Sequence, residues 1–286
     1  MTSKEVIILA TISHISGNSY VFTHRIYEAP LSDPSFISHH FHSEYELLFV
    51  LGGDVTYVLE DKKYKLEPYD MILTRPSRYH YIHIDSDMPY ERYNIIFPAS
   101  FLGEELINMI PENADVFSCS QLPVVIDCMK KTERYAEMGD DTFGILLRCL
   151  LTEVFYNLLK HPASDHKATD SVSPLISASL SYINENLYTI KGISDISSAL
   201  FISENYFFRA FKNEMKISPK KYITYKRLLE AQRRITGGER PTDVYVSCGF
   251  SSYTAFFKCY VRYFGISPSQ QPKQKDAPAD NIIYRI

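Results

Sequence analysis

The stretch Phe207-Phe208-Arg209-Ala210-Phe211 recurs 49 positions later as Phe256-Phe257-Lys258-Cys259-Tyr260. Each copy runs on to the same ending, Ile217-Ser218-Pro219 in the first and Ile266-Ser267-Pro268 in the second. In both copies a cationic residue stands beside aromatic residues at helical spacing, which predicts a duplicated helical unit with an apolar core stripe. Two such units are suited to enter successive major-groove segments of one DNA duplex, so double-stranded DNA is the first candidate partner.

The residues around this repeat predict helices throughout. Downstream of Pro174 the apolar residues keep a helical period. A longer helix is predicted over Tyr222–Thr236 and stops at Gly237-Gly238, where glycine favours a helix end. Four other predicted helices each follow a Ser or Thr whose side-chain oxygen can cap the helix start. These residues are Thr189, Ser203, Thr242 and Ser251. The pattern therefore predicts two three-helix units joined by one connecting helix.

Helical spacing divides the second helix of each unit into an anchored face and an outward face. The predicted anchors are Phe207, Phe211 and Met215 in the first copy and Phe256, Tyr260 and Phe264 in the second. The residues predicted to face DNA are Ser203, Glu204, Asn205, Phe208, Arg209 and Lys212, with Ser252, Tyr253, Thr254, Phe257, Lys258 and Arg262. Arg209 and Lys258 coincide in the repeat, and a cation there suits guanine or a phosphate. Phe208 and Phe257 also coincide, and they either pack against a neighbouring helix or touch thymine methyl groups.

Charge is divided unevenly along the 286 residues. Residues 175–273 hold 14 Lys and Arg against 7 Asp and Glu, whereas residues 1–174 hold 14 against 25. The C-terminal part is therefore the one expected to meet phosphate. Five scattered cysteines suit neither a disulfide framework nor a zinc site, which favours reduced thiols. No apolar run reaches the ~18 residues of a membrane span, and the N-terminus lacks signal-peptide features, so a cytoplasmic protein without a membrane partner is expected.

The remaining sequence predicts a multidomain α and β protein. Residues 20–98 carry short runs rich in Tyr, Ile, Val and Phe, punctuated like hairpins, which predicts an antiparallel β-barrel or sandwich. The predicted strands are Tyr45–Leu51, Val55–Leu59, Lys63–Leu66, Met71–Thr74 and Tyr90–Phe97. Helical spacing then follows over residues 101–160, and the second of these appended helices is apolar over more than one stripe, which suits a homodimer contact. The predicted domains are 1–160 for the barrel unit, 161–174 for a linker, 175–273 for the all-α unit and 274–286 for a tail.

The helical unit resembles the twin helix-turn-helix domain of the arabinose-regulator (AraC/XylS) family of bacterial transcription factors. The stretches Ile196–Pro219 and Cys248–Pro268 carry the resemblance. It implies two recognition helices in the major groove. Five residues at helix starts or edges are candidate phosphate-positioning groups, and each can equally be an ordinary solvated surface residue: Thr189, Lys191, Lys220, Lys221 and Thr242. Tyr245 and Pro241 depart from the family pattern in the second unit, so we expect the first unit to carry more of the sequence specificity.

The barrel segment resembles the two signature segments of the cupin fold, which the N-terminal domain of this family commonly adopts. The resemblance rests on His40-x-His42-x3-Glu46-x6-Gly53, Pro68-x-Asp70 and Pro76-x3-His80. His40, His42, Glu46 and His80 make a ligand set suited to Fe, Mn, Zn or Ni. The same residues together with Arg75 are the predicted effector-binding residues, and they can line a pocket without metal or serve as ordinary structural polar groups.

A small-molecule effector is the partner that the barrel predicts. The residues expected at the barrel mouth combine aromatic and cationic groups, which suits a sugar or an acid, and a carbohydrate is the first expectation: Tyr45, Arg75, Arg78, Tyr79 and Tyr81. No cofactor is expected except a divalent metal in this pocket.

The leading interpretation is a ligand-responsive transcription regulator that is not an enzyme. It would act as an activator, which brings RNA polymerase in as a partner, and it would dimerise through its first half. The alternatives are a metal-dependent cupin enzyme carrying a DNA-binding module, and a DNA-binding protein without an effector. Metal content with turnover would favour the enzyme, and the lack of any ligand-induced thermal shift would favour the third interpretation.

Overall fold

The computed structural model of the chain describes residues 8–16, 20–27, 40–139, 142–161, 168 and 170–271. The predicted tail and residues 162–167 and 169 of the predicted linker lie outside this described part. Among the described residues, no helix is both long enough and apolar enough to cross a membrane.

The N-terminal half is built from two antiparallel sheets. The first has the order β1-β2-β8-β3-β6-β9 and the second the order β10-β5-β4-β7. The strands are β1 Ile8–Ser16, β2 Tyr20–Tyr27, β3 Tyr45–Gly52, β4 Val55–Leu59, β5 Lys62–Leu66, β6 Asp70–Thr74, β7 His80–Ile84, β8 Tyr90–Phe97, β9 Val116–Ser118 and β10 Asp170–Ser171. The predicted class, a cupin-like antiparallel β-barrel with appended helices followed by an all-α domain, is confirmed.

Side-chain alternation along β3 decides which core each residue joins. Leu48 and Val50 lie in the core between the two sheets. Leu47 and Phe49 join a second core on the outer face of the six-stranded sheet. Successive side chains of a strand point to opposite faces, so β3 can be buried on both sides.

Helices cover the outer face of the six-stranded sheet. They are α1 Ala99–Leu102, α2 Glu104–Asn108, α3 Pro123–Met138 and α4 Phe143–Lys160. Phe143 at the start of α4 is fully buried and meets the rings of Tyr20 and Phe22 from β2. The opposite face of α4 still exposes Ile145 and Tyr156, each with 57% of its surface accessible.

The C-terminal half contains the expected pair of helical units. Its helices are α5 Pro174–Asn186, α6 Ile193–Ala199, α7 Glu204–Met215, α8 Pro219–Thr236, α9 Pro241–Ser247 and α10 Tyr253–Phe264. The recognition helices α7 and α10 have 12 residues each. The scaffold helices α6 and α9 have 7 each. The turn between the two helices is one residue longer in the second unit, so the copies are unequal there.

Three of the predicted caps differ from the structure. Helix α6 begins at Ile193 after Gly192, with the Asp195 side chain accepting from the Gly192 backbone, so Thr189 caps no helix. Helix α9 begins at Pro241, which suits a first helical position because proline lacks only an N–H that would have no partner there. Thr242 therefore lies inside that helix, and the α10 cap is Ser252 rather than Ser251.

The two halves share one apolar core. Phe41 and Tyr79 of the barrel are fully buried in the same cluster as Phe211 and Tyr222 of the helical unit. The Tyr79 hydroxyl donates to the Met215 backbone oxygen at the end of α7. The shared core therefore attaches the barrel directly to a recognition helix and to α8.

Part of the predicted linker belongs to this attachment. Asp170 and Ser171 pair with Lys63 and Lys62 of β5 as strand β10. Val172, next in the chain, is 2% exposed and lies in the shared core. Linker composition did not indicate this strand, because two residues become a strand only when β5 supplies the hydrogen bonds.

Candidate functional site

The outward faces of α7 and α10 form the candidate DNA-binding surface. Phe207 and Phe211 are fully buried in the first copy, as are Phe256 and Tyr260 in the second. The residues predicted to face DNA are exposed except for Tyr253, which is half-buried against Tyr245: Ser203, Glu204, Asn205, Phe208, Arg209, Lys212, Ser252, Thr254, Phe257, Lys258 and Arg262. The apolar stripe at helical spacing thus holds each helix and leaves its polar face accessible.

Serine caps orient the N-terminal turn of each recognition helix. The Ser203 hydroxyl accepts from the Tyr206 backbone N–H at 3.3 Å, and the Ser252 hydroxyl accepts from the Ala255 N–H at 3.2 Å. The repeated aromatic pair is also presented alike, since Phe208 is 37% exposed and Phe257 38% exposed. Neither ring is buried by a neighbouring helix, so both remain available for apolar contact in a groove.

The spacing of the two units depends on Arg227 of α8. Its guanidinium donates to the backbone oxygens of Leu187 at 2.7 Å, Ile190 at 2.6 Å and Gly249 at 2.8 Å. The first two carbonyls lie in the segment that leads into the first unit, and the third lies in the turn of the second. One cation on the connecting helix therefore ties the two units together, a role that the sequence analysis missed.

A second candidate site is the group His40, His42, Glu46 and His80 in the barrel. Their ligand atoms all lie within 4.8 Å of one another. The Nε2 atoms of His42 and His80 lie 2.8 and 3.2 Å from Glu46 Oε2, and His80 Nε2 lies 3.0 Å from His40 Nε2. His42, Glu46 and His80 are almost completely buried. Three imidazoles and one carboxylate at this separation can converge on a single divalent ion.

The hydrogen bonds of the outer ring nitrogens indicate the tautomers of His42 and His80. His42 Nδ1 lies 2.9 Å from the Glu44 backbone oxygen, and His80 Nδ1 lies 2.8 Å from the Arg78 backbone oxygen. A carbonyl only accepts, so each Nδ1 carries a hydrogen, and each ring, when it is neutral, turns an Nε2 lone pair inward. Those lone pairs face the Glu46 carboxylate, which also only accepts. A proton or a metal cation between them removes this conflict.

Burial and mutual charge perturb the acidities of this group. Burial would raise the pKa of Glu46, but the charge of His80 and hydrogen bonds from the three histidines hold that pKa well below its usual range. Burial and the charge of His40 lower the pKa of His80 to about 4. Burial would lower the pKa of His42, but the hydrogen bond and charge of Glu46 and the charge of Glu44 raise it. The neutral imidazole beside a negative carboxylate that metal coordination requires is therefore favoured at His80 and opposed at His42.

Three of the other residues predicted at the barrel mouth have contacts outside the histidine and glutamate group. The guanidinium of Arg75, an expected effector-binding residue, donates to Asp115 Oδ1 at 3.3 Å and to the Pro111 backbone oxygen at 2.7 Å, and its effector role stays a prediction. Tyr79 and Tyr81 were expected at the barrel mouth but lie in the core shared with the helical unit. The reason is strand alternation, which sends the neighbours of His80 to the opposite face. Tyr57 was missed, although its ring stacks on His80 with centroids 5.9 Å apart.

Comparison with known proteins places both sites in a family. An AraC-like ligand binding domain model matches residues 22–149, and a helix-turn-helix domain model matches residues 196–274. The first match contains the histidine and glutamate group, and the second contains both recognition helices.

Similar proteins are transcription regulators. The probable transcriptional regulator LumQ of Photobacterium leiognathi is 33% identical over 31% of this chain and 36% of its own length. The raffinose operon transcriptional regulatory protein RafR of Pediococcus pentosaceus is 30% identical over 45% of this chain and 47% of its own. The melibiose operon regulatory protein of Escherichia coli (strain K12) is 23% identical over 82% and 83%. The chain thus spans less than half the length of the first two.

A ligand-binding barrel joined to twin helix-turn-helix units defines a DNA-binding transcription regulator with an effector domain. The two family models match in that order and together cover well over half of the sequence. The chain belongs to the AraC family.

Proposed function

We propose that this protein is a transcription activator that binds double-stranded DNA as a homodimer and responds to a carbohydrate-type effector held in the barrel. It acts in the cytoplasm, where bacterial DNA lies, and contacts RNA polymerase from the bound site. The observation that carries the proposal is the pair of capped recognition helices, each with an exposed cationic face, mounted on one connecting helix. The melibiose and raffinose operon regulators support a sugar as the effector class.

Removal of the coincident cations tests the DNA-binding surface. Arg209→Ala and Lys258→Ala should each weaken binding to a specific operator fragment in gel shifts, because a cation that contacts guanine or phosphate contributes about 1–3 kcal/mol. We expect the larger loss for Arg209, whose unit follows the family pattern more closely.

A matched arginine in the same domain controls for general loss of charge. Arg233 on α8 is exposed and pairs with Glu230 at 2.7 Å, so Arg233→Ala should keep operator affinity close to that of the wild type. Circular dichroism of all three variants checks that the helices persist. Unchanged affinity in both recognition-helix variants would contradict the proposed docking.

Homodimer formation is supported by the exposed apolar face of α4. Ile145 and Tyr156 lie on that face beside Leu146, which is 37% exposed, and such a face is stabilised when a second copy covers it. The pairing of two barrels would leave the helical units free to bind two half-sites.

The histidine and glutamate group supports a divalent metal as a component of the barrel site. The inward lone pairs of His42 and His80 opposite Glu46 make a donor set that a cation satisfies. Imidazole nitrogens with one carboxylate suit zinc, iron, manganese or nickel. A bound metal would hold the ligand residues in place and could contact oxygen atoms of an effector.

Metal analysis of the purified protein tests this component. We expect close to one equivalent of metal in the wild type and a large loss in His42→Ala, since removing one ligand of four strongly weakens a site. His83→Ala is the control, because His83 lies on the exposed side of β7 and bonds Asp85. Equal metal content in the wild type and His42→Ala would contradict a metal site here.

An activity screen of the metal-loaded protein tests the enzyme alternative. A metal-dependent enzyme would turn over substrate in the metal-loaded form. The regulator requires only binding, and the DNA-binding half favours the regulator.

A further inference from the structure

The barrel holds a second polar group, separate from the histidines, on adjacent strands β2 and β8. In the antiparallel register Arg25 lies directly opposite Arg92, and Tyr27 lies opposite Tyr90. Both strands alternate, so these four residues share the face of the sheet that lines the interior between the two sheets. Tyr27 and Tyr90 are buried in that interior core.

Two like charges opposite one another destabilise a sheet unless something compensates them. Arg92 is only 9% exposed. Arg92 Nη2 donates to the Tyr27 hydroxyl oxygen at 3.3 Å, and Arg25 Nη1 donates to the same oxygen at 3.5 Å. Two guanidinium groups therefore converge on one neutral oxygen atom. Within the described residues, neither arginine forms an ion pair with a carboxylate.

Within the part of the chain that the structure describes, several polar atoms of this group have no hydrogen-bond partner. They are Arg25 Nε, Arg92 Nε, Tyr90 Oη and Asn94 Oδ1, all buried. Asn94 follows Arg92 by two residues and so points to the same interior face. A buried donor without an acceptor costs free energy, and a buried cation without an anion costs more. These atoms are therefore arranged for a partner that the polypeptide itself does not supply.

The positive character of the group also acts on Tyr27. Burial would raise the pKa of the Tyr27 phenol, but the neighbouring Arg92 and Arg25 guanidinium groups outweigh burial and lower that pKa. The negative charge of Glu46 acts on Arg92 through space, but within the described residues its carboxylate is bonded to the histidines and forms no ion pair with either arginine. Glu46 lies opposite Ile96 of β8, four residues from Arg92, so their positions are about 13 Å apart along the strand backbone.

We propose that Arg25 and Arg92 bind the carboxylate group of the effector inside the barrel. The two guanidinium groups present planar donor forks, which suit a carboxylate, and a single negative charge offsets their repulsion. Tyr90 Oη and Asn94 Oδ1 then remain available to form hydrogen bonds with hydroxyl groups on the rest of the effector. The inference narrows the proposed carbohydrate-type effector to one that carries a carboxylate, a sugar acid, and it rests on the proposed ligand-binding role of the barrel.

The test uses the full chain and acetate, the smallest carboxylate with this chemistry. Thermal unfolding is measured in sodium acetate, in sodium chloride of equal ionic strength and in acetamide, the neutral analogue of acetate. Acetate should raise the unfolding midpoint of the wild type above that in chloride or acetamide. Arg92→Gln should weaken the apparent acetate affinity about tenfold or more, because charge-assisted hydrogen bonds are lost.

Two further variants keep the test decisive. Arg25→Gln changes the less buried arginine and should also weaken acetate binding if Arg92→Gln does not fold. Arg148→Gln, at an exposed position of α4, should keep the full acetate response. Absence of an acetate effect in the wild type, or equal effects in the wild type and both barrel variants, would overturn the proposal.

Inorganic phosphate tests whether the site binds a phosphate group rather than a carboxylate. If phosphate stabilises the wild type more than acetate does, and Arg92→Gln removes that effect, the site takes a phosphate and the carboxylate assignment is wrong. Gel shifts on Arg92→Gln separate this inference from the regulator function. A wild type that binds its operator but shows no acetate response would leave the DNA-binding role standing and overturn the anion site alone, whereas an Arg92→Gln variant that keeps operator binding and loses the acetate response would support the anion site.

Discussion

At the scale of single residues, Gly249 shows why one position admits no side chain. Its φ is +79°, in the left-handed region, and a Cβ atom there would lie 2.5 Å from the Tyr188 backbone oxygen and 2.9 Å from Arg227 Cζ. The close approach lets Arg227 reach the Gly249 carbonyl. The glycine is therefore required by the tie between the two helix-turn-helix units as well as by the turn itself.

Two glycine variants separate the effect of this close approach from the effect of the left-handed φ. Gly249→Ala should lower the free energy of unfolding by about 3 kcal/mol, since it adds a steric clash to the left-handed strain. Gly238 has a φ of +101° but no atom within 4 Å of a built Cβ, so Gly238→Ala should cost only about 1 kcal/mol. Urea unfolding measures both. Equal losses would show that crowding around Gly249 is unimportant.

At the scale of elements, the β4–β5 hairpin contacts the connecting helix α8 through its turn. Glu60 in that turn has a φ of +52°, unusual for a residue with a side chain. Its buried carboxylate accepts from the Tyr222 hydroxyl, from Lys226 Nζ at 3.0 Å and from the Tyr79 backbone N–H at 3.1 Å. The neighbouring Asp61 accepts from the Ser177 hydroxyl of α5 at 3.1 Å. The hairpin thus holds two helices of the other half.

Glu60→Gln should lower the free energy of unfolding by about 3 kcal/mol at neutral pH, because Lys226 loses its buried partner. Burial raises the pKa of Glu60, but the Lys226 charge and the hydrogen bonds outweigh burial and lower it. A lowered pKa stabilises the fold above the ordinary carboxyl range, and that contribution is lost as the pH falls towards the folded-state pKa. The difference between wild type and variant should shrink in acid.

Urea unfolding at neutral and acid pH measures this dependence. Glu105→Gln in exposed α2 is the control and should change little at either pH. A difference that stays constant with pH would contradict the assigned ion pair.

Two strands, β7 and β9, are absent from the sequence prediction for different reasons. Strand β7 was missed although His80 and Ile82 alternate with Tyr81 and His83, because the segment was interpreted only for its ligand residue. Strand β9 pairs with β6 over three residues, too short for any periodicity to show. Such strands depend on a partner edge that only the folded sheet provides.

At the scale of the whole molecule, strand alternation places the histidine and glutamate group on one face of its strands and the core shared with the helical unit on the other face. Phe41 stands between His40 and His42 in sequence, and Tyr79 stands beside His80, yet both aromatic residues lie in the core shared with α7 and α8. His40 and His80 are bridged by backbone hydrogen bonds of 3.1 and 3.2 Å. A shift of the histidines on ligand binding would therefore move the ring surfaces that hold the recognition helix.

Calorimetry tests this shared core. The wild type should unfold in one cooperative transition, because barrel and helical unit contribute to the same apolar cluster. Phe41→Ala removes a fully buried ring that meets Tyr79 and Tyr222, which should cost about 3–5 kcal/mol and separate the transition into two. Metal content of the variant should be unchanged. A single transition in Phe41→Ala would show that the halves are coupled elsewhere.

The sequence by itself determined the repeated helices, the residues on their outward faces and the histidine and glutamate set, because these follow from spacing along one chain. Periodicity reports which side chains share a face, so Arg209 and Lys258 were identifiable without coordinates. Only the tertiary structure decided that Arg75 faces Asp115, that Tyr79 joins the interdomain core, and that Arg25 lies opposite Arg92. Those outcomes depend on strand register and on contacts between segments far apart in sequence, which no local pattern encodes.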